Sequence, residues 1–444
     1  MDKMKLNSIL KKMFFSSLFF TGVVYAQPSV IKNVEEIVPR PSTLQKILLE
    51  SESFPKKETV MKAYANIPFP SQYIDFDFAD KSFNPKSIKI TNEDRALAGK
   101  SQSKLGSLAK SAAGNATGGL VDSTAADIPL QIEKYLNQNQ IAKKIASKWL
   151  DIKDGRAQLG NYMMKRALDG ISENEKKSID MDTYKANLLL TDVEIMSNSF
   201  VIFNKLFFQE NEPVARVARD LAILQAQKIS VPVLQEKAIQ AAQLIYEKVK
   251  EGYTVFATSY LYKLDWDIEK AKLANDYFNN PSIKDPKIVF DTTNLFKMMY
   301  LGKETSTAFV GFSLKEKRTE EQIIELAVKR ALNNSMSKLQ RNFEAFRPIY
   351  RLDAVDPPIA AIGLKEGILP GDKFEVLKPV NGKVPGTKVW KKAAKIKVDK
   401  NAVIWDNLDD QPKLDSLGNE IILPKYTPFK GKVKNETRYF RIVG

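Results

Sequence analysis

The 444-residue sequence predicts a mixed α+β protein, with a central α/β domain whose sheet is partly antiparallel and a small C-terminal β-barrel-like domain. Three observations carry that expectation. Helix-period and strand-period apolar patterns alternate between residues 128 and 348. From residue 349 onward only short alternating runs remain, separated by Gly, Pro and Asp turns. Hydrophobic residues make up 43% of the chain and charged ones 27%, so a core can form without staples.

The first element is a candidate targeting segment. Lys3, Lys5, Lys11 and Lys12 surround or precede an apolar stretch from Met13 to Val24, and Val24-Tyr25-Ala26 fits the small-residue cleavage rule. A stretch this short cannot span ~30 Å of hydrocarbon as a helix. A signal peptide over residues 1–26 is therefore expected, with an uncleaved N-terminal anchor as the other reading. No comparable apolar run follows, so no transmembrane span is expected. Residues 27–97 are rich in proline and aromatics and read as an extended arm, with helix only near "STLQKILLESE". Residues 98–127 are Ala/Gly/Ser-rich and read as a flexible linker or weak helix.

In the α/β domain, "IEKYLNQNQIAKKIASKWL" has helical spacing through Ile132, Tyr135, Leu136, Ile141, Ile145 and Leu150. "KANLLLTDVEIMSNSFVIFNKLFF" reads as two strand-like runs around a Ser-Asn-Ser turn. "PVLQEKAIQAAQLIYEKVKEG" is an amphipathic helix stopped at Gly252, "YTVFATSYLYKLDW" a strand, and "LFKMMYLGKETSTAFVGFSL" a hairpin. Thr319 and Gln322 form a capping-box pair ahead of a helix whose Ile323, Leu326, Ala327, Ala331 and Leu339 share one face.

Within the C-terminal region, residues 349–444, the most patterned stretch is "GLKEGILPGDKFEVLKP", residues 363–379. A phosphate loop would need its glycines between a buried strand and a helix N-terminus. Here Phe374, Val376 and Val380 follow with strand alternation, so the stretch reads as a turn entering a strand. Gly367 and Gly371 would take positive φ, and Pro370 would preset the turn. "TKVWKKAAKIKVDK", "AVIWDN" and "TRYFRIV" continue the strand pattern, around an acidic loop "DNLDDQPKLDSLGNE".

"IAAIGLKEGILPGDKFEVLKP" resembles the turn-and-strand element of the small C-terminal barrel in flagellar outer-ring protein T-like envelope proteins. The preceding α/β region is distantly similar in element order to the TolB N-terminal and curli-secretion families. The lipid-anchor cysteine of the curli family is missing here, which sets this chain apart from that family's pore-forming role. What the resemblance implies is envelope assembly or scaffolding, with no catalytic residue carried over.

Composition narrows the chemistry. The chain has neither histidine nor cysteine, which excludes Ser-His-Asp and Cys-His nucleophilic systems, thiolate or imidazole zinc sites and His- or Cys-ligated haem. Serine–lysine spacings occur at Ser101/Lys104, Ser107/Lys110 and Ser335/Lys338 without a K-T-G partner. Acidic clusters occur at Asp75/Asp77/Asp80 and Asp406/Asp409/Asp410; the first fits a charged edge strand, a metal site or an acid/base pair, and the second lacks calcium-loop spacing, which leaves weak calcium binding as the other reading. Tyr260, Tyr262 and Trp266 flank Lys263 and read as sheet core or as a sugar-binding surface.

Net charge is +15, and 17 basic residues against 10 acidic ones from Gly363 onward give that region a surplus of 7. Excess positive charge favours an anionic neighbour. For an exported chain those neighbours are lipid head groups, lipopolysaccharide phosphates and wall polymers rather than nucleic acid. The expectation is a non-enzymatic protein of the periplasm or the outer-membrane periphery, scaffolding or assembling through protein or anionic-surface contacts. No catalytic residue, cofactor or metal site is assigned, and self-association stays open. The alternative is a carboxylate-dependent hydrolase of wall or surface glycans.

Overall fold

The computed structural model describes residues 42–70, 72–75, 77–96, 127–158, 180–310, 318–381, 388–407, 425–434 and 437–443. The expected signal peptide (residues 1–26) and all but the last residue of the expected linker (98–127) lie outside them. The protein is α+β, with one mixed sheet sandwiched by helices and a curled C-terminal half-barrel of antiparallel strands.

Strand β1 (Ser42–Leu49) is followed by helix α1 (Lys57–Ala65) and two short strands, β2 (Tyr73–Ile74) and β3 (Ser82–Phe83). All three strands join the sheet of the α/β region, where β1 runs parallel to β2, β3 and β6 (Ser199–Glu210). This corrects the expected helix near "STLQKILLESE", and it makes Ser42–Leu49, Tyr73–Ile74 and Ser82–Phe83 of the expected arm strands of the sheet. Leu44 and Leu48 bury on one face of β1 and Ile47 and Leu49 on the other. An apolar run buried on both faces is the pattern of a central strand.

Helices α2 (Ile128–Gln138) and α3 (Ile141–Leu150) replace the single helix expected there. The break falls at Gln140, whose φ of 49° leaves the helical region. A small hairpin of β4 (Ile152–Lys153) and β5 (Arg156–Ala157) follows. Helix α4 (Met181–Met196) then occupies the first of the two expected strand-like runs. Its buried Asn187, Thr191 and Ile195 recur at a spacing of four, so the helix period wins over the Leu-rich stretch between them.

After β6 come α5 (Asn211–Ala226), α6 (Pro232–Val249), β7 (Tyr253–Leu264), α7 (Ile268–Phe278), α8 (Pro286–Thr292) and β8 (Met298–Val310). Strands β6, β7 and β8 are antiparallel neighbours, giving the sheet order β2-β1-β6-β7-β8 with β3 beside β1. The expected hairpin around Gly302 is instead one continuous strand, β8. Gly302 sits beside a bulge that leaves Leu301 of β8 without a partner in β7, and a Cβ at Gly302 would overlap the ring of Phe343, which caps the C-terminal end of the next helix.

That helix, α9 (Glu320–Asn342), starts on the expected capping box: Thr319 Oγ1 accepts from Gln322 N, and Thr319 N donates to Gln322 Oε1 at 2.9 Å. Its Ile323, Leu326, Ala327 and Ala331 bury against α1 and the ends of β6–β8. A buried polar chain crosses this interface. Asn204 Nδ2 donates to Tyr64 Oη at 2.9 Å, Ser259 Oγ donates to Asn204 Oδ1 at 2.6 Å, and Ser259 and Ser335 hydroxyls meet at 2.7 Å. The opposite face of the sheet is covered by α2, α3 and α7, around Phe203, Tyr260 and Tyr262.

The half-barrel contains β9 (Tyr350–Arg351), β10 (Ala354–Val355), β11 (Pro358–Ala360), β12 (Lys373–Asn381), β13 (Lys388–Val398), β14 (Thr427–Lys430) and β15 (Tyr439–Ile442). Their order is β10-β11-β14-β13-β12-β15-β9. Phe374, Phe429 and Phe440 form an edge-to-face triad at its centre, with centroids 5.3 to 5.4 Å apart. Gly367 and Gly371 take the expected positive φ, 68° and 88°. The turn they form docks on α9: Arg341 reaches Asp372 through two bonds of 3.0 and 2.9 Å and donates to Gly367 O at 2.8 Å. Both sheets belong to one compact unit, Val34–Gly444.

Candidate functional site

The residues singled out from sequence scatter over the fold. Asp75 and Asp77 share one counter-ion, the Lys81 ammonium, at 3.2 and 2.7 Å. Burial alone would lower the Lys81 pKa, but the hydrogen bonds to Asp77 and Asp75 outweigh it and hold it above its ordinary value. Asp77 and Asp80 line a pocket of about 420 Å³ together with Lys81, Tyr135, Asn139 and Lys144. Burial, with the Asp80 charge, pushes the Tyr135 hydroxyl up to about 12. No group of three or more acidic side chains converges on a metal position among the described residues.

Of the second acidic cluster, Asp409 and Asp410 lie outside the described residues, as do Ser101, Lys104, Ser107 and Lys110. The third serine–lysine pair is pulled apart. Ser335 is fully buried, its hydroxyl 2.7 Å from Ser259 Oγ and 3.0 Å from Leu332 O, while Lys338 reaches Thr305 O at 2.6 Å. Tyr260, Tyr262 and Trp266 are core, so their rings offer no surface to a sugar. Two further groups carry displaced titrations. Burial lowers Lys46 to about 8, against the attraction of Asp75, with its ammonium 5.3 Å above the Phe69 ring. Burial likewise pushes Asp192 up to about 7, although Trp266 Nε1 donates to it at 3.2 Å.

Two exposed surfaces stand out instead. The first is a lysine face on the half-barrel. Antiparallel register sets Lys373 opposite Lys397, Lys397 opposite Lys430, and Lys378 opposite Lys391. In-register residues project to the same face, so Lys373, Lys397 and Lys430 form one exposed row on the outer face, while the exposed Lys378 and Lys391, of the same parity along β12 as the core residues Phe374 and Val376, project from the other. Like charges directly opposite one another destabilise a sheet. Two acids temper the row from its sides: Glu375 pairs with Lys392 at 2.8 Å and Asp399 with Lys430 at 2.6 Å. The sequence signalled this face only as a regional charge surplus, because the row depends on register across three strands.

The second surface is the hairpin of α5 and α6, inserted between β6 and β7. Its own seam is thin: Ala215, Ala226 and Ala242 bury there, and Tyr246 Oη donates to Glu212 Oε1 at 3.0 Å. That bond to the Glu212 carboxylate, together with burial, raises the Tyr246 pKa. Arg219 lies 4.4 Å over the Tyr246 ring. Outside the seam the helices are apolar and open. Val214, Val217, Leu221 and Leu224 of α5, and Val233, Leu234, Leu244 and Ile245 of α6, are each 52% to 62% exposed. Isolated surface apolar residues are ordinary, whereas contiguous stripes mark contact sites. Sequence reasoning missed α5, though its 3-4-3 spacing of Val and Leu and Pro213 in its first turn were there to be read.

No family model matches this chain, and no curated protein matches it.

Proposed function

We propose that this chain is a non-enzymatic, exported protein of a bacterial cell envelope that scaffolds or assembles its surroundings by holding an anionic envelope surface. One observation carries the reading: the in-register lysine row of Lys373, Lys397 and Lys430 across three strands. Stacked like charges cost stability in the free protein and are relieved by a surface of phosphates or carboxylates. Each lysine brought near an anionic membrane contributes on the order of 1 kcal/mol. The resemblance of residues 359–379 to an envelope-protein barrel element, and the signal-like residues 1–26, are consistent with that setting.

Co-sedimentation of the full chain with vesicles tests it. Vesicles rich in anionic lipid should bind the protein with an affinity that falls as salt rises, and purely zwitterionic vesicles should not. Replacing Lys373, Lys397 and Lys430 with Glu should abolish binding to the anionic vesicles. Salt-independent binding, or a triple variant that still sediments like the wild type, would overturn the assignment.

A further inference from the structure

We infer that copies of this chain associate with one another through the α5–α6 hairpin, α5 of one copy lying against α6 of the next. The inference stands on a surface separate from the lysine face. At ~100° per residue, Val214, Val217, Leu221 and Leu224 fall within an arc of about 80° on α5. That arc lies roughly opposite the buried Ala215 and Ala226. On α6, Val233, Leu234, Leu244 and Ile245 span about 120°, with the centre of that arc about 120° from the buried Ala242. Each helix therefore presents its stripe away from the hairpin's own seam.

The 3-4-3 spacing on α5 is that of a helix–helix seam, in which each side chain enters a gap on a facing helix. Area points to the same kind of occupant. Burying a Val or Leu side chain removes on the order of 90 Å² of apolar surface, so one α5 stripe against one α6 stripe buries about 700 Å². A standard stable interface of ~1,600 Å² carries about 900 Å² of apolar area. Two helices of this length thus supply most of what such an interface needs.

Charge selects the pairing. Lys237 and Lys248 lie within the α6 arc, whereas the α5 arc of Val214, Val217, Leu221 and Leu224 holds no charged residue, and Asp220 beside it is already paired with Arg219 at 2.7 Å. Packing α6 on α6 would bring lysines together, whereas packing α5 on α6 sets them against an uncharged stripe. Such a contact joins two different patches, and a pair of copies joined once still exposes one stripe at each end. The assembly therefore grows beyond two copies.

The full chain, purified alone and sized by light scattering over a range of micromolar concentrations, should exceed the mass of two copies at the upper end. Leu221→Lys on α5, which would face the α6 lysines, and Leu244→Lys on α6 should each weaken association by at least ~30-fold. Both side chains are exposed, so circular dichroism and thermal unfolding should match the wild type. Mixing the two variants should restore a one-to-one pair, because one intact α5 meets one intact α6 while the two altered stripes repel each other. A wild type that stays monomeric overturns the inference while leaving vesicle binding untouched. Variants that still assemble, or a mixture that restores nothing, overturn it as well.

Discussion

Removing the Arg341 guanidinium should loosen the joint between α9 and the half-barrel. Arg341 makes two bonds to the Asp372 carboxylate, at 3.0 and 2.9 Å, and a third to Gly367 O at 2.8 Å. Asp372 also accepts from Leu369 N at 2.8 Å, so the same carboxylate ties the turn to itself. The Arg341 side chain is 29% exposed and that of Asp372 12%. Hydrogen bonds to charged groups contribute roughly 1.5–3 kcal/mol each when deleted singly, and water reaches the arginine side of this pair. Arg341→Ala should therefore cost about 2–3 kcal/mol in all. At ~2–4 °C per kcal/mol for a domain of ordinary size, calorimetry should record a drop of about 5–10 °C. Arg341→Lys should recover little, since an ammonium cannot form the two-pronged contact. Hydrogen exchange should speed up at the amides of Leu369 and Gly371, which now bond to Asp372 and Val398 O. A double-mutant cycle with Asp372→Asn should give a coupling of about 1–3 kcal/mol. A shift under ~1 °C, or a coupling near zero, would refute the idea that this fork holds the turn to the helix.

Two further outcomes follow from neighbouring features. Gly371 has φ of 88° and open space beyond it, with only Lys400 Cγ at 3.8 Å from an added Cβ, so Gly371→Ala should cost roughly 1 kcal/mol. Gly367→Ala should cost more in urea unfolding, because its Cβ would also overlap Ser337 of α9; equal losses would contradict the close approach. Asp192, pushed up to about 7 by burial, binds its proton in the folded chain between ~pH 4 and ~pH 7, where the unfolded chain has lost it. Its contribution is thus full below ~pH 4 and lost as pH rises through ~7, by up to about 4 kcal/mol. Asp192→Asn keeps an acceptor for Trp266, and should match the wild type near pH 4 and exceed it at pH 8. Parallel pH profiles for the two proteins would count against the assignment.

Local signals in the sequence were read correctly where one pattern dominated. The Thr319/Gln322 capping box and the alternating Phe374 and Val376 mark their elements without help from the rest of the fold. Errors came where two periods overlapped. Leu188, Leu189 and Leu190 look strand-like, but the burial of Asn187, Thr191 and Ile195 makes α4 a helix. In β1, Lys46 and Gln45 disguise a strand that is central rather than peripheral. Both candidate surfaces are long-range properties. Periodic apolar residues on α5 would ordinarily denote a core-facing stripe, and only their exposure distinguishes a contact surface from a core. The lysine row likewise needs β12, β13 and β14 to pair in one particular register.

The way the hairpin is attached has a consequence for how this protein can change. Glu210, the last residue of β6, pairs directly with Tyr253, the first of β7. Asn211 closes the junction, its backbone N–H donating to Gly252 O at 3.1 Å and its side chain reaching Glu251 O at 3.1 Å and Val310 O at 3.4 Å. In topological terms α5 and α6 are an enlarged turn between two strands that would face each other without them. The ladder beneath is complete across its own width, so the inserted segment can lengthen, shorten or exchange its outer side chains while the sheet keeps its register. Selection can then reshape what this protein meets independently of what keeps it folded.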